Sequence, residues 1–443
     1  MFASTLTTAL AFFFAIFIIV AIHEFGHYLA MRLIGVRVLT FSIGFGPRLA
    51  GWRDRSGTDF IISALPLGGY VKPLDRRDSE VDDSNRHEEF SGKPAWQRVV
   101  TYAAGPAANL LLAVLLYWLI LLNGETGRIP VVAEPTPGTP AAQAGFRAGD
   151  EIIAIDGHET ASWQRLGTVL IRFVGEAREL RVSLKAADGS QRDVWLPAHA
   201  WAEDPEANPF ETLGLIPQTP QAVVGELTPG GAAQRAGMLP GDRVLTANDV
   251  EVADWNQWVS IVQAHPEQPL TLRLERDSVV QRLTLVPDAV TVGGERIGRA
   301  GVGIAGVRQI HYGPVAAVPE AGRRLWQQST MILSAIGKLF TGELSVKTLG
   351  GPLTIAKVAG DTAALGIVTF MLFLAFFSVS LGVINLLPVP MLDGGWIVFG
   401  LIEMIIGREL PEKFLMSAQQ VGLVLVIGLM VLAVYNDILR FFV

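Results

Sequence analysis

Three ionisable side chains interrupt an otherwise apolar stretch near the amino terminus. They are His23, Glu24 and His27, within the run Ala21-Ile22-His23-Glu24-Phe25-Gly26-His27-Tyr28. Because the two histidines are four residues apart, a helix places them on one face, where both can bind one metal ion. Glu24 would then stand beside the metal, where a carboxylate can act as general base on a water molecule. The pattern predicts His23 and His27 as metal ligands and Glu24 as the catalytic base.

A third ligand is expected, because catalytic zinc usually takes three protein ligands. The best candidate is Asp393, in the segment Asn385-Leu386-Leu387-Pro388-Val389-Pro390-Met391-Leu392-Asp393-Gly394-Gly395. Pro388 and Pro390 break the helix, and irregular backbone at membrane depth must be buried in protein or line a water-filled cavity. We expect Asn385, Pro388 and Pro390 to contact substrate, with Asn385 donating to a carbonyl or holding the backbone. Asp393 could also cap the helix that follows.

The elements that must position these residues are apolar enough to cross a membrane. Half of the 443 residues are hydrophobic, and the mean hydropathy is +0.39. Four blocks, residues 5–33, 99–122, 365–387 and 422–443, each approach or exceed the roughly 20 residues that a spanning helix needs. The first block has no basic amino-terminal region and no small-residue cleavage site, so we do not interpret it as a signal peptide. We therefore predict a multi-span α-helical membrane protein with four transmembrane helices.

Composition excludes several kinds of site and partner. The chain has no cysteine, which rules out disulfides, thiol nucleophiles and cysteine-based zinc sites. The net charge of -7 offers no basic footprint for nucleic acid, so no nucleic-acid partner is expected.

Basic residues predict the orientation in the membrane. The first apolar block is followed by Arg32, Arg37, Arg48, Arg53, Arg55, Lys72, Arg76, Arg77, Lys93 and Arg98. The positive-inside rule places this loop in the cytoplasm, with both termini and everything between spans two and three outside. His23 and Asp393 then both lie toward cytoplasmic ends of their spans, so they can meet.

The cytoplasmic loop contains two predicted β segments, 38–45 and 60–71, broken at glycines. An exposed strand here could hold a substrate in extended form by strand addition, with Gly44, Phe45 and Gly46 in contact with it. The alternative is a purely structural hairpin. Residues 75–93 are highly charged, including Asp78 and Glu80, and are predicted to form a solvated, mobile linker.

Two further segments are predicted to have packing roles. Gly105-Pro106-Ala107-Ala108-Asn109 opens the second span with small residues that allow close helix packing. We expect Asn109 to cap or hydrogen-bond a neighbouring helix, a structural role. Apolar residues at helical spacing over 314–342 predict an amphipathic helix at the outer membrane face.

An internal repeat with an offset of 92 residues occupies the region between spans two and three. Ala144-Gly145 and Gly149-Asp150 align without a gap on Ala236-Gly237 and Gly241-Asp242. The shared pattern resembles PDZ domains of the bacterial, circularly permuted kind, which bind peptides by adding them to a sheet edge. By that resemblance the peptide-binding loops would lie at Leu213, Gly214 and Leu215, and at Gly301, Val302 and Gly303. Two domains that act only as spacers or a size filter are the alternative.

These assignments divide the chain into nine segments. Residues 1–34 are transmembrane helix 1, 35–97 the cytoplasmic loop, 98–123 transmembrane helix 2, 127–220 and 221–308 the two PDZ-like α+β domains, 313–350 the amphipathic helix and turn, 364–396 transmembrane helix 3, 397–418 a cytoplasmic connection, and 419–443 transmembrane helix 4.

Together these residues resemble the site-2 protease family of intramembrane zinc metalloproteases, and within it the bacterial branch that regulates sigma E. The resemblance rests on the metal motif, Gly44-Phe45-Gly46-Pro47, Pro66-Leu67-Gly68-Gly69-Tyr70-Val71, the 105–109 segment, the repeats and Leu392-Asp393-Gly394-Gly395. It implies one Zn²⁺ per chain and a bacterial inner-membrane location with periplasmic PDZ-like domains. It also implies cleavage of single-span membrane proteins, such as an anti-sigma factor, after another protease has trimmed their outer part.

One position departs from the family pattern, and two other functions compete. After Gly395 the resemblance leads us to expect His, but this chain has Trp396, which bears on substrate preference rather than on the ligands. A membrane-anchored PDZ scaffold without catalysis is the main alternative, and the intact ligands and base disfavour it. A metal transporter would need more intramembrane acidic and histidine residues than these spans contain.

Overall fold

The structure is a computed structural model that describes residues 2–77, 82–173, 178–198, 209–292 and 295–442. The chain forms two compact units. One unit comprises Met1–Asn123 and Tyr312–Val443, and the other comprises Gly124–His311.

The α-helices, numbered along the chain, are α1 (Phe2–Leu33), α2 (Ala95–Asn123), α3 (Pro140–Gln143), α4 (Trp163–Leu170), α5 (Pro209–Leu213), α6 (Ala232–Arg235), α7 (Trp255–Gln263), α8 (Pro314–Thr341), α9 (Pro352–Leu365), α10 (Ile367–Asn385), α11 (Asp393–Ile406) and α12 (Glu412–Phe442). The strands are β1 (Val38–Arg53), β2 (Asp59–Pro73), β3 (Glu125–Arg128), β4 (Glu151–Ile155), β5 (His158–Glu159), β6 (Glu179–Lys185), β7 (Gln191–Pro197), β8 (Val224–Leu227), β9 (Arg243–Ala247), β10 (Val250–Glu251), β11 (Leu270–Arg276), β12 (Val279–Leu285), β13 (Asp288–Val292), β14 (Glu295–Arg299), β15 (Val302–Ile304) and β16 (Val307–Ile310).

Among the described residues, four helices are long and apolar enough to span a membrane. These stretches are Leu6–Leu33, Ala95–Asn123, Ile367–Asn385 and Glu412–Arg440. The four apolar blocks of the sequence therefore correspond to candidate spans in α1, α2, α10 and α12. Many of their large apolar side chains are exposed, as helices that face lipid require.

Helix α2 packs against α1, α8, α10 and α11, so it is the central element of the helical unit. On one side, Ala113 and Tyr117 pack with Ala317 of α8 and Val379 of α10. Helix α1 packs separately with α9 and α10. The small buried residues of α2 let these helices approach closely.

Two helices depart from the predicted segments. Helix α9 (Pro352–Leu365) lies almost entirely in the stretch 351–363, to which the sequence assigned no element. Helix α10 ends at Asn385, and α11 occupies much of the predicted connection at 397–418. The physical reason lies at Pro388 and Pro390, because proline cannot continue the α10 hydrogen-bond ladder and a new helix must begin after it.

The predicted mobile linker is anchored at its described ends, so that prediction is wrong for two of its acids. Asp75 and Glu89 are only 6% and 4% exposed. The hydroxyl of Ser91 lies within hydrogen-bond distance of both carboxylates, and Arg76 forms an ion pair with Glu89 at 3.5 Å. Hydrogen bonds to charged groups compensate the cost of burying them. Asp78 and Glu80 lie outside the described residues.

Strands β1 and β2 form a folded antiparallel sheet rather than a simple hairpin. Phe41 lies opposite Val71 on one side and opposite Phe60 on the other, and Trp52 also pairs with Phe60. Four segments therefore lie side by side in the order 69–73, 40–43, 59–62 and 48–53. Gly44 and Gly46 have φ of +90° and +89°, a region that glycine enters without strain, and they let β1 bend between its two halves.

The unit Gly124–His311 contains two lobes with the same strand order. Their sheets run β5-β4-β6-β7 and β10-β9-β11-β12, and each encloses its own apolar core. In each lobe a buried aspartate, Asp150 or Asp242, accepts from a backbone N–H three residues earlier and from an arginine, Arg192 or Arg276. Residues 174–177 and 199–208, in the predicted first domain, and 293–294, in the second, lie outside the described residues.

Candidate metal centre

The two histidines of the amino-terminal motif meet on one face of α1. Their Nε2 atoms lie 3.3 Å apart, and each residue is 8% exposed. The segment is helical because it is apolar and free of glycine or proline until Gly26, so His23 and His27 stand one turn apart. Both rings therefore present a nitrogen to the same point.

Asp393, at the first turn of α11, completes a three-sided site. Its Oδ2 lies 3.2 Å from His23 Nε2, and its Oδ1 lies 3.4 Å from His27 Nε2. Tetrahedral ligands bound to zinc at about 2.0–2.2 Å are separated by about 3.3 Å. The three side chains form the one group of possible metal ligands found among the described residues, and their donor atoms fit zinc.

Helix α2 orients the His27 ring. The Nδ1 atom of His27 lies 2.8 Å from the carbonyl oxygen of Thr101, so Nδ1 carries the proton and Nε2 keeps its lone pair. A Cβ built on Gly105 would overlap the His27 ring, so glycine is required where α2 passes beneath it.

Asn109 stands against the other histidine. Its Nδ2 lies 3.3 Å from His23 Nδ1, while its buried Oδ1 has no hydrogen-bond partner among the described residues. Turning the amide by 180° places Oδ1 where it accepts from the Nδ1 proton of His23, which leaves Nε2 free for a metal. This rotation pairs the orphaned oxygen with His23 and gives His23 the tautomer that a metal ligand needs, as the Thr101 carbonyl does for His27.

A glycine of the sheet lies directly beside Glu24. A Cβ built on Gly69 would lie 2.8 Å from Glu24 Cγ and 3.0 Å from Val20 Cγ1. The edge segment 69–73 therefore passes the predicted base, and its recorded strand pairings are all to β1. The sequence pointed to Gly44, Phe45 and Gly46 as substrate contacts and not to Gly69, although Gly69 belongs to the Gly68-Gly69 pair.

The predicted sheet residues occupy a bend farther from the ligands along the strand. Gly44 packs against the backbone of Leu65, while the rings of Phe45 and Tyr70 stack with centroids 6.1 Å apart. A Cβ on Gly68 would contact the Phe45 ring at 2.7 Å. Phe45 is 45% exposed and Tyr70 39% exposed, so together they form an accessible aromatic surface beside the edge segment.

The segment before Asp393 is irregular and packs closely against the first turn of α11. Asn385 ends α10, and the chain then turns, with Leu392 N–H donating to the Val389 carbonyl at 2.8 Å. Asn385 and Pro390 are half-buried and Pro388 is exposed. Gly394 and Gly395 have no room for a Cβ because carbonyls of this segment lie against them. The two glycines thus allow α11 to begin close to the break and carry Asp393 to the histidines.

Trp396 occupies the position where the family resemblance predicted histidine. Its ring stacks on Tyr102 with centroids 5.5 Å apart and meets Phe399 edge-on at 5.9 Å. Trp396 and Tyr102 line a cavity of about 840 Å³ together with Met31 and Val71. Its wall includes Met31, one turn after His27 on α1, and Trp396, one turn after Asp393 on α11.

The predicted peptide-binding loops differ between the lobes. In the first, Leu213 and Leu215 are buried in the apolar core, and Gly214 lies against Thr139. In the second, Gly301, Val302 and Gly303 line an open cavity of about 530 Å³ with Trp255 and Val259 among its other walls.

Comparison with known proteins gives long matches. Peptidase family M50 matches residues 11–429. A relative from Yersinia pestis named Protease RseP is 40% identical over 452 residues, covering 99% of each chain. One from Escherichia coli (strain K12), named Regulator of sigma-E protease RseP, is 38% identical over 442 residues, covering 97% of this chain and 98% of the relative. A relative from Vibrio cholerae, whose name describes a zinc metalloprotease, is 37% identical over 444 residues, covering 97% of this chain and 98% of the relative.

Proposed function

The chain belongs to peptidase family M50 and is an intramembrane zinc metalloprotease, and we propose that His23, His27 and Asp393 hold its zinc ion while Glu24 is its catalytic base. The family resemblance identified in the sequence is confirmed. The observation that carries the residue assignment is the spacing of the three donor groups, at 3.2 to 3.4 Å, as tetrahedral zinc requires.

Zinc at this site would polarise the scissile carbonyl and lower the pKa of a water molecule. The carboxylate of Glu24, next to His23 on α1, would take a proton from the water that attacks the scissile carbonyl carbon and return it to the amide nitrogen as the carbon–nitrogen bond breaks. Thr101 and Asn109 hold the histidine rings so that both Nε2 atoms keep their lone pairs. The irregular segment 386–392 supports entry of water at membrane depth, because irregular backbone there must be enclosed or hydrated.

The substrate binds as an added strand along the edge 69–73. A helical peptide bond is shielded by its own hydrogen bonds, so a protease must hold its substrate extended. The closeness of Gly69 to Glu24 supports this edge, since a strand added there would run past the base. Phe45 and Tyr70 provide an aromatic surface for substrate side chains, and Asn385, Pro388 and Pro390 lie on the segment before Asp393, where they could contact the substrate backbone.

The substrates are single-span membrane proteins, including an anti-sigma factor, cut after their outer part has been trimmed. The relatives named Regulator of sigma-E protease support this substrate class. The basic residues after the first span support an inner-membrane orientation in which the two lobes are periplasmic.

The two lobes of the Gly124–His311 unit are PDZ-like domains. Their shared strand order and the open cavity at Gly301-Val302-Gly303 support this assignment. The first lobe buries Leu213 and Leu215 in its core, which favours a role as spacer or size filter there. The second lobe has the open groove that a peptide end would need.

The deciding experiment compares the purified protein with its Glu24→Gln variant on a tagged single-span substrate already trimmed on its outer side. Bound metal is quantified in both proteins. We expect the parent alone to cleave, with about one zinc ion in each protein. Cleavage by Glu24→Gln at the parent's rate would exclude the base assignment. If neither protein binds metal and neither cleaves the substrate, the result would favour a membrane-anchored scaffold.

A further inference from the structure

A buried ion pair joins α2 to α11 away from the three proposed zinc ligands. Arg98 Nη2 donates to Glu403 Oε2 at 2.8 Å, and the two side chains are 9% and 6% exposed. The other carboxylate oxygen, Oε1, accepts from the backbone N–H of Leu410 at 2.9 Å. Glu403 thus fastens the end of α11 both to α2 and to the segment that follows α11.

Stability alone gives a weak reason for this pair. Removing two charges from water costs several kcal/mol per ion, and apolar side chains of similar volume often stabilise a protein equally well. Ionisable residues within or beside spanning helices usually have a functional cause. Neither Arg98 nor Glu403 belongs to the motifs that predicted the metal site, and neither has a role in the chemistry above.

The position of Arg98 on α2 indicates what the ion pair does. Arg98, Thr101, Gly105 and Asn109 follow each other at spacings of three or four residues, so they share one side of α2. Thr101 and Asn109 orient the two histidines, while Arg98 holds α11. Farther along α11, Gly400 has no room for a Cβ against Val99 of α2. One side of one helix therefore locates both the histidines and the helix that carries Asp393.

We propose that Arg98 and Glu403 are positioning residues for the zinc site. They fix the rotation of α11 about its own axis and its position along α2, so that Asp393 reaches the ion bound by His23 and His27. A helix rotation of about 20° moves a side-chain end at a radius of about 5 Å by almost 2 Å. Zinc coordination tolerates about 0.2 Å, so even a small rotation would withdraw the carboxylate. This proposal rests on the proposed function.

The test measures zinc affinity and the Co²⁺ absorption spectrum of the full-length protein in detergent, without using cleavage as a readout. We expect Glu403→Gln and Arg98→Met to weaken zinc binding about tenfold to 100-fold, the range seen when supporting groups of metal ligands are removed. The Co²⁺ bands should also change as the Asp393 carboxylate leaves the metal. Arg98→Lys keeps a cation opposite Glu403 and should remain closer to the parent in both measurements.

The matched control is Glu320→Gln. Glu320 is also buried in the helical unit and pairs with Arg323 and Arg324 of its own helix α8, which carries none of the proposed ligands. We expect this variant to bind zinc as the parent does. Equal loss of zinc affinity in Glu320→Gln and Glu403→Gln would show general destabilisation and overturn the positioning role.

Parent-like zinc affinity and Co²⁺ bands in folded Glu403→Gln and Arg98→Met would also overturn it. If Glu403→Gln does not fold, Glu403→Asp retains the charge with a shorter reach, and the same two measurements decide. His23→Ala separates the two proposals. If His23→Ala keeps its zinc, the proposed site itself is wrong; if His23→Ala loses zinc while the pair variants keep it, only the positioning role is wrong.

Discussion

Asn109 of α2 stands 3.3 Å from the Nδ1 atom of His23, on the opposite side of the ring from the nitrogen that faces Asp393. The amide is fully buried, and its backbone carbonyl accepts from the hydroxyl of Ser378 at 2.8 Å. The sequence indicated a structural role for this residue, and its contact with His23 adds the orientation of a proposed ligand.

We therefore expect Asn109→Ala to weaken zinc binding about tenfold to 100-fold, because His23 loses the partner that fixes its tautomer and ring orientation. Zinc affinity is measured by chelator competition on the purified protein. Asn436→Ala is the matched control, since this buried amide donates instead to the carbonyls of Val346 and Leu349. Equal affinities for Asn109→Ala and the parent would contradict the orienting role.

Gly69→Ala should reduce cleavage strongly while leaving zinc affinity near the parent value. The added methyl group would lie 2.8 Å from Glu24 Cγ and 2.7 Å from the Ser42 carbonyl, so either the edge segment or the base must shift. Gly92→Ala, where a Cβ meets its neighbours at 3.6 Å or more, is the control in the same loop. Full activity in Gly69→Ala would argue against substrate binding along this edge.

Trp396→His should change substrate preference without changing zinc content. The substitution removes the indole that stacks on Tyr102 and makes the wall of the 840 Å³ cavity smaller and more polar. A pocket contact of this size is worth about 1–3 kcal/mol in discrimination, or roughly tenfold or more. The measurement is kcat/KM for two substrates with a large or a small apolar residue beside the scissile bond. Trp326→His, at an exposed site on α8, is the control, and an unchanged ratio in Trp396→His would exclude the cavity as a substrate contact.

We predict that Asp242 stabilises the second lobe and that this contribution is lost in acid. Burial raises the pKa of Asp242, but hydrogen bonds from Arg276 and from the Leu239 N–H lower the pKa by more than burial raises it. The pKa of Asp242 therefore lies below its usual value. A carboxyl whose folded-state pKa is depressed stabilises the fold above its unfolded-state pKa, about 3.9. This contribution is lost as the pH falls through the lower folded-state pKa.

The expected result is that Asp242→Asn unfolds at lower denaturant concentration than the parent at pH 7, while the difference shrinks below about pH 4. Proteolysis of the full-length protein at rising denaturant, followed through fragments from residues 243–276, measures the midpoint. A difference between parent and variant that stays constant from pH 7 to pH 3 would contradict this assignment.

The sequence alone determined what depends on local geometry and on solvent. Four apolar blocks predicted the candidate spans, because length and hydropathy suffice for a helix in lipid. The spacing of His23 and His27 predicted their meeting, because a helix repeats every 3.6 residues. The need for a third ligand, together with the expected position of two spans in the membrane, then predicted Asp393, although it lies 370 positions beyond His23 in the sequence.

Tertiary structure decided which distant groups support those residues. Thr101 and Asn109 reach the histidines only because α2 packs on α1, and no local pattern contains that information. Gly69, rather than Gly44–Gly46, lies beside Glu24 because β1 bends and pairs with β2 on both sides. The contact between Arg98 and Glu403 joins residues 305 positions apart. Such contacts depend on how helices and strands pack against each other, and that packing is a property of the whole folded chain.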